Sequence, residues 1–200
     1  MESPQQTPLA VTETPPSLET VPPDTAPAST LTYNPADPTP TVGGRLLSPE
    51  GGYRNDTTLS QRPDVLSFTG DMLAQDLYVV GSPIVELSHA CDNPHNDLFV
   101  RVSEVDAKGR SRNVSDGYRR GISDSGPVRL ELDAVAHRFR AGSRIRVVVA
   151  GGSHPRFARN LGTDEPLRTG KTLRAATHTV HLGDGASRLI LPAGRRPSTD

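Results

Sequence analysis

The chain has 200 residues, of which 34% are apolar, and it carries 22 basic and 23 acidic side chains. A formal charge of −1 offers no electrostatic footprint for nucleic acid and no basic patch for an anionic membrane, so we expect neither partner. A single cysteine rules out an internal disulfide, and the sequence lacks both a signal-peptide pattern and an apolar run of the roughly 20 residues that a membrane helix needs. These features predict a soluble, cytoplasmic protein.

The first 30 residues form a proline-rich lead. Ten of the 19 prolines lie within the first 40 residues, among Thr, Ser, Glu and Ala, so few large apolar side chains are present to offset the entropy of ordering. We therefore predict a disordered or extended lead over residues 1–30. A docking ligand for a proline-binding domain is the alternative, but no basic residue flanks Pro15-Pro16 or Pro22-Pro23.

From residue 77 onward, short runs of Val, Ile, Leu and Thr are separated by Gly, Pro, Asn and Asp, which predicts an all-β sandwich or barrel. Apolar and polar residues alternate most clearly in the predicted strands 128–133 and 144–149. This alternation assigns the apolar residues to a buried face. Those inward residues are Val128, Leu130, Leu132, Ile145, Val147 and Val149. The other predicted strands are 77–80, 84–89, 97–105, 111–121, 177–182 and 188–191.

The tetrapeptide Asp106-Ala-Lys-Gly109 separates two of these strands. An aspartate can accept hydrogen bonds from the backbone that follows it, and a glycine can adopt the left-handed conformation that closes a hairpin. The sequence therefore predicts a hairpin that fixes strand 97–105 against strand 111–121.

The stretch HACDNPHND at residues 89–97 has the densest set of reactive groups in the chain. A zinc site needs three or four converging ligands, with spacings such as Cys-x2–4-Cys or His-x3–5-His. His89 and His95 are six residues apart with a proline between them, and no second group of Cys and His supplies further ligands. We predict a polar turn that follows a strand, with no metal, and we expect no cofactor elsewhere in the chain.

Two motifs of enzymes are incomplete. Gly170-Lys171-Thr172 ends like a phosphate-binding loop, but Glu165 stands where that motif requires glycine, and a carboxylate would repel phosphate. The pentapeptide Gly-x-Ser-x-Gly, which presents the nucleophile of α/β-hydrolases, is absent from the sequence. We therefore assign no catalytic residue to this chain.

The order of several longer motifs nevertheless resembles one family over roughly residues 31–193. The motifs are YNPADPTPTVGG at 33–44, RPDVLSF at 62–68, NDLFVRV at 96–102, DAKGRSRNVSDG at 106–117, AHRFRAG at 136–142 and HPRFARN at 154–160. Together they resemble the C-terminal, non-catalytic domain of the X-Pro dipeptidyl-peptidase and cocaine-esterase-like serine hydrolases.

This resemblance implies a jelly-roll β-sandwich, similar to galactose-binding-like modules, over residues 31–195, with a flexible tail at 196–200. In the family such a domain packs on an α/β-hydrolase domain that holds the catalytic triad. The resemblance therefore implies an accessory domain that is inactive by itself and provides scaffold with an interdomain or homodimer surface. The alternative is a free-standing module that binds carbohydrate or another ligand, although the chain has no Trp and only four Tyr and four Phe to form sugar platforms.

The resemblance also singles out two residues. The family's jelly roll approaches the acyl pocket of the hydrolase just after the Gly-Gly turn, which corresponds here to Arg45, Leu46 and Leu47. Leu46 and Leu47 are thus candidates for the wall of a substrate pocket, and packing in the core of the sandwich is the alternative for both.

Overall fold

The computed structural model describes residues 6–10, 28–122, 126–182 and 187–194. Within these ranges the chain forms β-strands and one short 3-10 helix at Leu59–Gln61, with no α-helix, so the all-β prediction is confirmed. In the same ranges, no helix is both long and apolar enough to cross a bilayer. The strands are β1 (Gln6–Ala10), β2 (Ala28–Tyr33), β3 (Val65–Met72), β4 (Leu77–Gly81), β5 (Ile84–Cys91), β6 (Asp97–Val105), β7 (Ser111–Arg120), β8 (Gly126–Glu131), β9 (Val135–Phe139), β10 (Arg144–Ala150), β11 (Ala176–His181) and β12 (Arg188–Gly194).

The strands form two antiparallel sheets. The larger sheet has the order β2-β11-β5-β12-β4-β9, with β1 added to β12 and β8 added to β5. The smaller sheet has the order β3-β10-β6-β7. Together the two sheets make the sandwich predicted from the alternating runs, and its jelly-roll connectivity stays a prediction.

The main core lies between the two sheets. All six residues assigned to an inward face from the alternation are buried there. They are joined by the other large apolar side chains of the central strands, among them Val85, Leu98, Val100, Phe139 and Leu189. The period of two in the sequence therefore identified the buried face of β8 and β10 correctly.

The smaller sheet is buried on its second face as well. Loop segments cover that face, and a separate apolar cluster forms between them and the sheet from Leu59, Val65, Phe99, Val148 and Ala150. In β6, side chains of both faces are consequently buried, which is why its burial pattern is almost continuous. This covered face carries Arg101 and the site described below.

The predicted hairpin is present between β6 and β7. Gly109 has a φ of +79°, and the Asp106 carboxylate accepts hydrogen bonds from the backbone N–H groups of Lys108 (2.8 Å) and Arg110 (3.0 Å). The pairing places Arg101 opposite Asp116, with an irregularity between Val102 and Ser103. The turn therefore fixes the register on which the charged cluster below depends.

The structure describes only part of the predicted 1–30 lead. The structure pairs Gln6–Ala10 with β12, and β2 begins at Ala28, so parts of the predicted 1–30 lead lie in strands. A proline within an edge strand is compatible with pairing because its missing N–H can face away from the neighbour, and Pro8 lies in β1, opposite Ile190 of β12. The rest of that lead and the predicted 196–200 tail lie outside the described residues, and the domain limits stay predictions.

Candidate functional site

Leu46 and Leu47 lie on a protruding loop, residues 43–52. The loop closes on itself where Gly44 and Gly52 exchange two backbone hydrogen bonds of 2.9 and 2.8 Å. Leu47 is fully exposed at the outer part of the loop, whereas Leu46 is half-buried. Core packing, the alternative considered for both residues, therefore does not hold for Leu47.

The base of the 43–52 loop is fixed to strand β7. Asn113 accepts a hydrogen bond from the backbone N–H of Arg54 (2.5 Å) and donates one to the carbonyl of Gly52 (3.1 Å). Gly43 has a φ of +59°, and a Cβ on it would lie 2.5 Å from the Gly52 carbonyl oxygen. The two strands of the loop thus approach each other closely because glycine has no side chain.

Gly44 leaves room for an ion pair. A Cβ at this position would lie 2.6 Å from Nη1 of Arg156 and 2.7 Å from Oδ2 of Asp116. The backbone of Gly44 is also in the left-handed region, with a φ of +84°. The Gly43-Gly44 pair of the sequence motif therefore lets the loop rest directly on a cluster of charged side chains.

Five charged side chains continue this cluster from the loop into the protein. Arg45 on the loop binds Asp133 (Nη1 to Oδ1, 2.7 Å), and Asp133 also lies 3.6 Å from Arg156. Arg156 in turn binds Asp116, whose other oxygen contacts the fully buried Arg101 at 3.2 Å. The hydrogen bond from Arg45 to Asp133 raises the pKa of the Arg45 guanidinium, so Arg45 stays charged.

A cavity of about 200 Å³ opens beside the loop. Tyr53, whose side chain is exposed, and Val135 contribute its less polar walls, while Asp116, Asp133 and Arg45 contribute charged ones. Within the described part of the chain, no Ser or Thr hydroxyl and no Cys thiol is hydrogen-bonded to a histidine ring. The cavity and the loop can therefore support binding, but they show no activated nucleophile.

A side chain at position 44 would collide with the ion pair between Arg156 and Asp116, and this gives a direct prediction. We expect Gly44→Ala to destabilise the protein by about 1–3 kcal/mol more than Gly109→Ala, because overpacking adds to the backbone strain. Gly109 is a matched control, since its φ of +79° is similar but a Cβ there would have nothing within 4 Å. Urea unfolding of both variants measures the difference, and equal losses of stability would contradict it.

The stretch 89–97 connects β5 and β6 and makes more contacts than a simple polar turn requires. Asp92 accepts a hydrogen bond from the Thr177 backbone (2.7 Å), and Asn93 donates to the carbonyls of Gly162 (3.0 Å) and Ala175 (3.1 Å). His95 is exposed. Within the ranges the structure describes, no group of three or more His, Cys, Asp or Glu side chains could hold a metal ion.

Asp97 at the end of this stretch is a buried acceptor. Its carboxylate accepts hydrogen bonds from Asn160 (2.9 Å), from the backbone of Gly121 (3.2 Å) and from the Tyr118 hydroxyl (2.5 Å). Burial, reinforced by Asp97, raises the pKa of Tyr118 above its usual range. Tyr118 is half-buried and stacks on Phe157 at 3.9 Å, so it is not a free aromatic platform for a sugar.

Sequence reasoning missed one feature of this stretch, a pair of buried histidines. His89 on β5 and His178 on β11 are both buried, and Nε2 of His89 lies 3.0 Å from Nδ1 of His178. Burial lowers the pKa of each imidazole to about 4. The two residues are 89 positions apart, and the only signal in the sequence is that each occupies an inward position of its strand.

The incomplete phosphate-binding motif also has a structural role. The Glu165 carboxylate accepts hydrogen bonds from the backbone N–H groups of Lys171 (2.6 Å) and Thr172 (3.1 Å), and the Thr172 hydroxyl donates to it as well. These contacts lower the pKa of Glu165, the largest effect coming from the Thr172 hydroxyl. The protein's own anion thus occupies the place where a phosphate-binding loop would hold phosphate.

Comparison with known proteins gives consistent matches. The family model for the X-Pro dipeptidyl-peptidase C-terminal non-catalytic domain matches residues 5–190. Cocaine esterase from Rhodococcus sp. (strain MB1 Bresler) is 26% identical in an alignment of 187 positions that covers 84% of this chain and 33% of that protein. The family match begins within the predicted lead, well before residue 31, where the resemblance of the motifs begins.

Two solved structures share the fold. An aminopeptidase from a marine sediment Thaumarchaeota archaeon has a TM-score of 0.78 at 22% identity, covering 96% of this chain and 37% of that one. An α-amino acid ester hydrolase has a TM-score of 0.71 at 23% identity, covering 84% of this chain and 32% of that one. The chain therefore spans about a third of the length of each of these relatives.

Proposed function

The chain belongs to the X-Pro dipeptidyl-peptidase C-terminal non-catalytic domain family, and from this premise we propose that it acts as an accessory domain beside an α/β-hydrolase catalytic domain. The sandwich provides the scaffold and a contact surface, while the catalytic domain provides the nucleophile, the base and the oxyanion donors. The proposed reaction of the assembled enzyme is hydrolysis of an ester or of an X-Pro dipeptidyl bond.

The exposed side chain of Leu47 on a fixed loop is the observation that carries this proposal. A single exposed leucine is common, but Leu47 projects from a loop whose base is held by Asn113 and by a buried charged cluster. Such a rigid apolar projection suits a preformed contact with another domain, because little conformational entropy is lost when it is buried.

We propose that Leu46 and Leu47 form part of the wall of the substrate pocket in the assembled hydrolase. Their positions directly after the Gly43-Gly44 turn agree with the family resemblance, and the half-buried Leu46 anchors the more exposed Leu47. Apolar side chains at this place would contact the acyl part of a substrate and exclude water from it.

The remaining features of the proposed assembly concern partners and location. A homodimer surface on the sandwich is also proposed, and so is a cytoplasmic location. The reduced state of Cys91, which has no disulfide partner, is compatible with such a compartment.

Active-site labelling tests the proposal. We expect the purified chain to show no turnover of p-nitrophenyl esters or X-Pro amides and no labelling by a fluorophosphonate probe. When a tagged form is co-expressed with the α/β-hydrolase domain of its own organism, the two should co-purify, and only the hydrolase should be labelled. Stable labelling of a serine in the sandwich would contradict the proposal.

A variant of the same experiment examines the loop. Leu47→Asp should weaken co-purification of the labelled hydrolase, since burial of an unpaired carboxylate is unfavourable. Leu167→Asp is a suitable control because Leu167 is also an exposed leucine, on a loop distant in sequence. Equal retention of the hydrolase by both variants would place the contact elsewhere on the sandwich.

A further inference from the structure

We infer that Arg156 is the positioning residue of the 43–52 loop, the side chain that holds Leu46 and Leu47 in place for the assembled enzyme. The inference rests on the proposed function for its consequence in catalysis, but its structural content concerns this chain alone. Arg156 acts through the base of the loop, where it lies against Gly44 and binds Asp116.

Arg156 is itself well fixed. It lies six residues after the end of β10, and only 12% of its side chain is exposed. Its backbone N–H donates to the Thr41 hydroxyl (3.2 Å), and its guanidinium lies 4.9 Å from the centre of the Phe157 ring. Because both the backbone and the guanidinium of Arg156 are held in place, this residue can act as a rigid support.

The guanidinium joins two carboxylates, one from a strand and one from a connection between strands. Asp116 belongs to β7, whereas Asp133 lies between β8 and β9. Nη1 binds Asp116, and Nη2 lies 3.6 Å from Asp133. A planar guanidinium can serve two carboxylates at once with fixed geometry, whereas a lysine ammonium is a single point of charge.

Besides the hydrogen bonds of Asn113, two contacts of the loop with the protein depend on this arrangement. Gly44 rests on Nη1 of Arg156 with no side chain between them. Arg45 is held through Asp133, which is shared with Arg156. Removing the guanidinium would leave Asp116 paired with Arg101 and Asp133 paired with Arg45, so the support beneath Gly44 would be lost while the buried pair and the hydrogen bonds of Asn113 remained.

Amide hydrogen exchange on this chain tests the inference. In Arg156→Lys and Arg156→Gln, we expect the backbone amides of Gly44, Leu46 and Gly52 to exchange about tenfold faster or more, since the neck of the loop opens more often. Amides in the middle of β10, such as Val147 and Val148, should exchange at the parent rate. Asp133→Asn, at a partly exposed position, should give a smaller acceleration in the same loop.

The control is Arg188→Gln, which removes an arginine from an exposed ion pair with Glu86 on the larger sheet and should leave loop exchange unchanged. Unchanged loop exchange in both Arg156 variants, or equal acceleration in the loop and in β10, would overturn the inference. If the Arg156 variants do not fold, an unchanged loop in Asp133→Asn would overturn it as well. None of these outcomes depends on whether the chain binds a hydrolase, which the co-purification experiment decides separately.

Discussion

Arg101→Met is expected to lower the free energy of unfolding by about 3–5 kcal/mol, although methionine fills a similar space. Arg101 is fully buried on the covered face of the smaller sheet, between Asp56 (3.6 Å) and Asp116 (3.2 Å). Both carboxylates are themselves buried, so removing the arginine leaves Asp56 without an ion pair within 4 Å among the described residues, with only the more distant charge of Arg146 acting on it.

The neighbours of Arg101 explain why the loss should be large. Asp56 keeps the hydrogen bond from the Ser103 hydroxyl (2.7 Å), which does not neutralise its charge, and the electrostatic interaction with Arg146. Asp116 keeps Arg156 and is therefore less affected. The Arg101 guanidinium also lies 5.2 Å from the centre of the Phe99 ring, a contact that a thioether replaces only in part.

Urea unfolding at pH 7.5 measures the effect. Arg188→Met is the matched control, since Arg188 pairs with Glu86 at an exposed position where Glu86 keeps Arg129, and its cost should be below about 1 kcal/mol. Adding Asp56→Asn to Arg101→Met should recover part of the lost stability. If Arg101→Met lowers the free energy of unfolding by less than about 1 kcal/mol, the buried carboxylates do not need Arg101 for their stability, and the prediction is wrong.

The second large expected effect is a loss of stability in mild acid, caused by His89 and His178. Burial lowers the pKa of each imidazole to about 4 in the folded protein, against an ordinary value of 6.5. Between these values the unfolded chain binds protons that the folded chain does not, so stability is complete above pH 6.5 and falls as the pH falls toward 4. At about 1.4 kcal/mol per pH unit for each group, the loss by pH 5 is on the order of 4 kcal/mol.

The surroundings of the pair favour the neutral state. Nδ1 of His89 and Nε2 of His178 have no hydrogen-bond partner among the described residues. His181 disfavours protonation of His89, while Asp92 favours protonation of His178 without offsetting the effect of burial. A proton on either ring would therefore place a cation in the core between β5 and β11.

Unfolding curves at pH 7.5, 6.5, 5.5 and 5.0 test this effect. The double variant His89→Leu/His178→Leu should show a much flatter dependence, whereas His95→Leu, which changes an exposed histidine, should follow the parent protein. The lowered pKa of Glu86 affects stability only near and below its ordinary value of 4.5, so this range isolates the histidines. A double variant with the parent's pH dependence would contradict the prediction.

Several elements could be predicted because their information is local. The hairpin at Asp106 and Gly109 depends on two residues whose backbone preferences are independent of the rest of the protein. Strands β3 and β9 escaped prediction from periodicity. In β9 only Val135, His137 and Phe139 mark the inner face, and one of these is a histidine bound to Glu104 at 3.0 Å.

The candidate site was likewise predictable only in part. The Gly43-Gly44 turn and the two leucines after it were identified by resemblance, and their role as a pocket wall stays a prediction. The resemblance also included Arg156 and Asp116 within separate motifs, but nothing in the sequence indicated that they meet under Gly44. Their contact depends on how the segment after β10 folds back over β7.

The sequence alone therefore determined the alternating buried faces and the class of the fold, because side chains in a strand point to opposite faces with a period of two. The family was identified separately, by the resemblance of the ordered motifs. Only the tertiary structure decided which polar residues are buried together. Arg101 and His89 are polar residues in strands, and a strand pattern by itself would allow either of them to face solvent. They are buried because loops cover the second face of the smaller sheet and because β11 places His178 beside His89, contacts that join residues far apart in the chain.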